Sequence, residues 1–218
     1  MDLDLIYQLN DFIIRKQRGA FITYPELDNN YNLAQLDLLN EYIDEYAITG
    51  KIHNALQPFK TNTPFTHGTT PSGIFTLPDD YVLPLMSYTQ WYDNVRDEIQ
   101  YGEIRFYNEA EWINAINSQL RPCTSQRPSA KIIGGTMQLF PATKNAGIFN
   151  YIRKPDAPAY VFTQSGRDIT YSASSSTQLE WGDLYIPKLI MKALTYQGIN
   201  LNESQITAFA EEKNNQSV

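Results

Sequence analysis

Nucleophiles and metal ligands are scarce in this 218-residue chain. Its one cysteine, Cys123, stands between Pro122 and Thr124, with only Arg121 as a nearby cation. A catalytic thiolate needs a base and a group that orients the base, so Cys123 reads as a lone structural thiol. The two histidines, His53 and His67, are 14 residues apart. They are too few to build a zinc site and read as surface or capping residues. Asp79-Asp80 follow Pro78, and Glu109 and Glu111 open a helix. A glycosidase holds its two carboxyls about 5–9 Å apart across a sugar cleft. Neighbours on one turn do not face each other in that way, and both pairs read as turn formers or first-turn helix anions. No phosphate-binding glycine loop, H-E-x-x-H, C-x-x-C or G-x-S-x-G run occurs. No catalytic, metal or cofactor residue is assigned, and the expectation is a protein that is not an enzyme and carries no cofactor.

The chemistry that remains is that of surfaces. Tyr88, Trp91, Tyr92, Tyr101, Phe106, Tyr107 and Trp112 crowd one stretch of a chain with 15 tyrosines. Such rings can stack on sugars or bases, fill the core of a small sheet, or form a subunit contact. Seventeen Lys and Arg against 24 Asp and Glu leave a net charge of −7. That balance argues against free-standing nucleic-acid binding and favours a core or a contact between subunits. Hydrophobic residues at 42% and charged residues at 19% allow a real core and exclude wholesale disorder. No apolar run approaches the ~20 residues of a membrane span, so no membrane partner is expected.

Periodicity assigns the elements. Leu5, Ile6, Leu9, Phe12 and Ile13 give a helix over 2–18, stopped by Gly19. Leu33, Leu36, Leu39, Tyr42, Ile43 and Tyr46 give a second helix over 31–46 with an acidic outer face. Residues 60–73, rich in threonine, proline and glycine, read as a loop. Residues 81–92 and 99–107 then read as partner strands. Asn108 caps a helix over about 108–120, and Gly134-Gly135 turns a hairpin within 131–140. Residues 148–153 read as a strand, and 156–178 as a loop containing an edge strand over 168–171. Apolar spacing from Leu184 to Tyr196 and a polar-capped stretch from 202 to 213 give two last helices. The expected fold is α+β: helices of 1–60 and 181–213 form a bundle, and 74–180 form a small antiparallel β insertion. Residues 214–218 make a polar tail.

Several runs stand in a telling order: Leu56-Gln57-Pro58-Phe59-Lys60, Leu77-Pro78-Asp79-Asp80-Tyr81, Gln138-Leu139-Phe140-Pro141, Tyr151-Ile152-Arg153-Lys154-Pro155, Gln178-Leu179-Glu180-Trp181, and Ala193 to Leu201. The series resembles the neck proteins of tailed bacteriophages, in particular those of crAss-like phages of Bacteroidetes. More loosely, it is similar to the head-to-tail adaptors of podoviruses and siphoviruses. The resemblance implies a virion structural protein, made in the host cytoplasm, that docks as a ring of twelve copies under the portal. Its partners would be its own copies, the portal protein and other neck or tail rings, with genomic DNA only passing through the channel. Head-to-tail ring contacts need two matching patches on each subunit. The candidates for the subunit contact are Tyr88, Trp91, Tyr92, Tyr101 and Tyr107. Under the same resemblance, Phe209, Lys213, Asn214 and Val218 are the candidates for reaching an adjacent ring, and the 156–178 loop for ordering on docking. A lower neck or tail-completion ring is the alternative of the same class. A glycan-binding or glycan-cleaving tail module using Trp91 and Trp112 is the alternative of a different one.

Overall fold

The computed structural model describes residues 2–19, 21–49, 54–66, 73–93, 96–124, 126–142, 146–166, 168–199, 205, 206, 208–210 and 212. Helices α1 (Leu3–Arg18) and α2 (Tyr24–Thr49) come first. Strands β1 (Lys60–Thr66), β2 (Ile74–Thr76), β3 (Tyr81–Pro84), β4 (Ser87–Asp93) and β5 (Glu98–Phe106) follow. After α3 (Glu109–Ile116) come β6 (Ser129–Ile133), β7 (Thr136–Phe140) and β8 (Ala146–Arg153). A short pair, β9 (Phe162–Ser165) and β10 (Asp168–Tyr171), precedes α4 (Ile186–Tyr196). The chain divides into two compact units: Met1–Pro58 with Pro155–Val218, and Phe59–Lys154. No helix among the described residues is long and apolar enough to cross a membrane.

In the first unit, α1 ends where Gly19 adopts φ 63° and donates its N–H to the Arg15 carbonyl at 2.9 Å. Helix α2 buries Leu27, Tyr31, Ala34, Gln35, Leu38, Leu39 and Tyr42, one stripe at helical spacing. That stripe is rotated from the expected one: Leu33 is half exposed, and Gln35 is buried instead. Gln35 can lie inside because its amide donates to the Asp156 carbonyl at 2.8 Å, tying the returning chain to α2. Helix α4 packs its Ile186, Leu189, Ile190, Ala193 and Leu194 side on this bundle, chiefly on α2.

Along the rim of that contact, Lys188 and Lys192 reach Glu41 at 2.9 and 2.6 Å. Partial burial pushes the Glu41 carboxyl upward, but the hydrogen bonds and charges of the two lysines outweigh it, and its pKa lies below the usual value. A carboxylate lowered on folding stabilises the fold above its unfolded pKa, and that contribution is lost as pH falls through the lowered one. Thermal melts from pH 7 to pH 3 should therefore show a smaller acid-induced drop in Tm for Glu41→Gln than for the native chain.

A column of stacked tyrosines runs through the same unit. Tyr31, Tyr7 and Tyr160 stack at 5.2 and 5.3 Å, and Tyr24 and Tyr171 stack on Tyr160 at 4.3 and 4.7 Å. Their hydroxyls donate to helix carboxylates: Tyr7 to Asp28 at 2.6 Å, Tyr160 to Asp4 at 2.6 Å, Tyr171 to Asp2 at 3.2 Å. The 156–178 segment, expected to await a docking partner, is thus already pinned within its own unit, with β9 and β10 paired as a hairpin.

The second unit overturns the expected small antiparallel insertion. Its eight strands form one sheet in the order β1-β8-β4-β5-β6-β7-β2, with β3 also on β8. The fold is therefore mixed α/β with a large, nearly closed barrel rather than a helical bundle with a β appendage. Two pairings make the difference. The stretch read as a threonine-rich loop contains β1, which pairs with β8 from Lys60↔Ile152 to Thr66↔Ala146. Its Pro64 is tolerated because β1 has a sheet neighbour on one side only. The joint between β5 and β6 is parallel, Arg105↔Ser129 and Phe106↔Ala130, with α3 in the crossover. The end strands β1 and β2 share no backbone pairing, but the Phe65 and Phe75 rings meet at 4.7 Å and close the gap with side chains. Phe65, Leu77, Ile104, Ala130, Met137, Leu139, Phe149 and Tyr151 fill the interior.

β8 is the spine, with β1 along one edge and β3 then β4 along the other. The break between β3 and β4 is patched by Ser87, which is fully buried. Its hydroxyl accepts from the Asn150 N–H at 3.0 Å and donates to the Leu85 carbonyl at 2.9 Å. Ser87→Ala should cost about 2 kcal/mol in denaturant unfolding, because it strands a buried N–H.

Candidate interaction face on the β4–β5 hairpin

Antiparallel pairing of β4 with β5 runs from Ser87↔Ile104 to Asp93↔Glu98. Residues directly opposite share a face, and faces alternate along a strand. Tyr88, Gln90 and Tyr92 therefore stand beside Glu103, Tyr101 and Ile99 on the outer face. Ser87, Thr89 and Trp91 lie on the other face, where Ser87 and Thr89 are fully buried.

The outer face is apolar and wet. Tyr101 is 62% exposed, Tyr92 and Ile99 55% each, and the adjoining Met86 72%. Tyr88 and Tyr101 meet edge to face at 5.4 Å. Together with Met86, Ser87 and Glu103 they line a shallow groove of about 460 Å³. Charge rims the patch: Arg96 lies 4.0 Å from both Asp93 and Glu98 at the hairpin tip, and Glu103 closes the other end. The Tyr92 hydroxyl donates to Asp97, which holds the phenol above its usual pKa and in the neutral form. An apolar centre with a polar rim is the anatomy of a protein contact surface.

Of the five residues singled out for a subunit contact, the structure brings Tyr88, Tyr92 and Tyr101 together. Trp91 lies on the opposite face of the same strand. Tyr107 sits past the end of β5 in a separate cleft. Ile99 and Met86 belong to the patch and were not singled out. The alternation that pairs Ile99 with Tyr92 could have found the first, whereas Met86 lies between strands and carries no such signal. Of the residues proposed to reach another ring, Phe209 packs its ring edge-on against Phe12 of α1 at 6.4 Å, with Lys16 above it. Lys213, Asn214 and Val218 lie outside the described residues.

The residues weighed for catalysis have structural surroundings. The Cys123 thiol is 3.0 Å from the Ser129 hydroxyl and 3.4 Å from the Ala115 carbonyl. Asp80 accepts from the Tyr151 hydroxyl at 3.0 Å in the turn before β3. Asn108 caps α3 by accepting from the Glu111 N–H at 2.8 Å, with Glu109 and Glu111 in the first turn. His53 and His67 lie outside the described residues. Among the described residues, no three His, Cys, Asp or Glu side chains converge where a metal ion could sit. No protein-family model matches the chain, and neither does any curated protein.

Proposed function

We propose that this chain is a structural protein of a tailed-phage virion that assembles into a ring in the neck, between portal and tail. The observation that carries the assembly part is the exposed Met86–Tyr92–Ile99–Tyr101 face. Scattered exposed apolar residues are ordinary, whereas exposed apolar side chains gathered on one hairpin face with a charged rim support a contact surface. The placement in a phage neck rests on the ordered sequence landmarks. Three of them fall at junctions that a barrel-bearing subunit has to hold: Leu77 to Tyr81 turns β2 into β3, Gln138 to Pro141 ends β7, and Tyr151 to Pro155 leads β8 out of the barrel. Repetition of a −7 chain around a ring favours a channel that does not hold DNA tightly. The glycan reading loses support, because Trp112 is buried beneath Lys131 and Trp91 is on the inner side of β4.

Sedimentation velocity over a range of protein concentrations, with and without the portal of the same phage, tests the assembly. A neck ring gives a discrete fast-sedimenting species, on its own or on the portal. A folded chain that stays monomeric alone, with the portal and with the assembled neck rules it out.

A further inference from the structure

A cleft of about 310 Å³ opens beside the parallel β5–β6 joint, lined by Arg105, Tyr107, Arg121, Cys123, Arg127 and Ser129, with Pro122 between. Arg105 comes from β5, Arg121 and Arg127 from the connection between α3 and β6, and the backbone N–H of each is hydrogen-bonded. The Arg105 N–H donates to the Pro128 carbonyl at 3.0 Å. That of Arg121 donates to the Ser118 hydroxyl at 3.2 Å. Arg127 and Thr124 exchange backbone hydrogen bonds at 3.0 and 3.3 Å. The floor is polar: Ser129 is 3% exposed, and its hydroxyl meets the Cys123 thiol at 3.0 Å.

Among the described residues, no carboxylate lines this cleft. None of the three guanidinium groups forms an ion pair among the described residues, whereas Lys188 and Lys192 are both engaged by Glu41. The sequence around it is biased in the same sense. Between Glu111 and Asp156 the chain has no Asp or Glu, yet it carries Arg121, Arg127, Lys131, Lys144, Arg153 and Lys154. In a chain of net charge −7 this is a local reversal of sign.

We propose that the cleft of Arg105, Arg121 and Arg127 is a binding site for a phosphate group. Guanidinium forks match the oxygens of phosphate two at a time. Three of them line one cleft with Tyr107, more donors than the two oxygens of a carboxylate can take and a match for the several oxygens of a phosphate. Charge points the same way. A carboxylate brings one negative charge to three cations, and a phosphate monoester brings close to two. The shared chemistry is the phosphate group, free or carried on a nucleic-acid strand, and the two sources separate by experiment.

Inorganic phosphate is titrated into the full chain by calorimetry at low salt, and into Arg121→Ala, Arg127→Ala and Arg96→Ala. Arg96 lies at the hairpin tip and removes the same charge outside the cleft. The expected result is saturable binding of one phosphate per chain, weakened about tenfold or more in each cleft variant and unchanged in Arg96→Ala. A short single-stranded DNA that displaces the phosphate assigns the group to a nucleic-acid backbone. One that does not displace it assigns a free phosphate or monoester. The proposal is overturned if the native chain binds no phosphate saturably, or if Arg96→Ala weakens binding as much as the cleft variants. It is also overturned if acetate competes as well as phosphate, which would make the cleft a carboxylate dock.

Discussion

Gly147→Ala is expected to destabilise the Phe59–Lys154 unit strongly. Gly147 sits near the start of β8 and is opposed on one side by Phe65 of β1 and on the other by Thr89 of β4. A Cβ there would come within 2.3 Å of the Phe65 ring and 2.4 Å of the Tyr88 carbonyl oxygen. The ring could turn, but only by leaving Phe75, with which it closes the barrel. The carbonyl belongs to the β4 backbone and has no such freedom. Overpacking of an ordinary core costs about 1–3 kcal/mol. With a backbone atom in the way on one side and the seam on the other, the cost should be about 3 kcal/mol or more. Gly182→Ala is the control: its nearest neighbour is the Tyr185 ring at 3.8 Å, and it should change stability by less than about 0.5 kcal/mol. Denaturant unfolding followed by near-ultraviolet circular dichroism distinguishes the two. A Gly147→Ala chain as stable as the native one would mean that β1, β8 and β4 do not lie in this register.

Tyr101→Arg should weaken assembly strongly without harming the monomer. Tyr101 is the centre of the outer β4–β5 face, 62% exposed and edge to face with Tyr88. Tyrosines at the middle of a contact patch commonly contribute 2 kcal/mol or more. An arginine there would also bring an unmatched charge into the contact. The concentration needed for half-assembly should rise at least about 30-fold, while Tm stays within a degree or two. Trp91→Ala gives the opposite pattern. It removes a part-buried ring from the inner side of the same strand and should cost about 2 kcal/mol of stability. Two aromatic residues of one hairpin, which look alike in sequence, thus separate into a contact residue and a packing residue. If Tyr101→Arg assembles as the native chain does, the outer face is not the subunit contact.

Local signals were the ones legible in the sequence. Gly19, Asn108 and Gly134-Gly135 mark a helix end, a helix cap and a hairpin turn because each acts within a few residues. The apolar spacing of Ile186, Leu189, Ile190, Ala193 and Leu194 placed α4 for the same reason. The barrel was not legible because its closure is non-local. Lys60 to Thr66 has the polar, proline-containing composition of a loop, and becomes a strand only because β8 offers it a free edge 80 residues later in the chain. The rotated stripe of α2 has a similar origin: Gln35 is buried by a bond to Asp156, which no spacing rule foresees. On the exposed β4–β5 face, aromatic density drew attention to the hairpin. Only the register separated Tyr88, Tyr92 and Tyr101 from Trp91. The arginine cleft joins positions 105, 121 and 127 through a parallel strand pairing, and composition alone did not bring them together.

Native mass spectrometry of the intact chain mixed with the portal of the same phage tests the neck-ring assignment most directly. A ring of twelve on the portal adds 12 × 25.0 = 300 kDa in one step, and that gain should vanish with Tyr101→Arg. A folded chain that remains at 25.0 kDa alone, with the portal and with the assembled neck would contradict it.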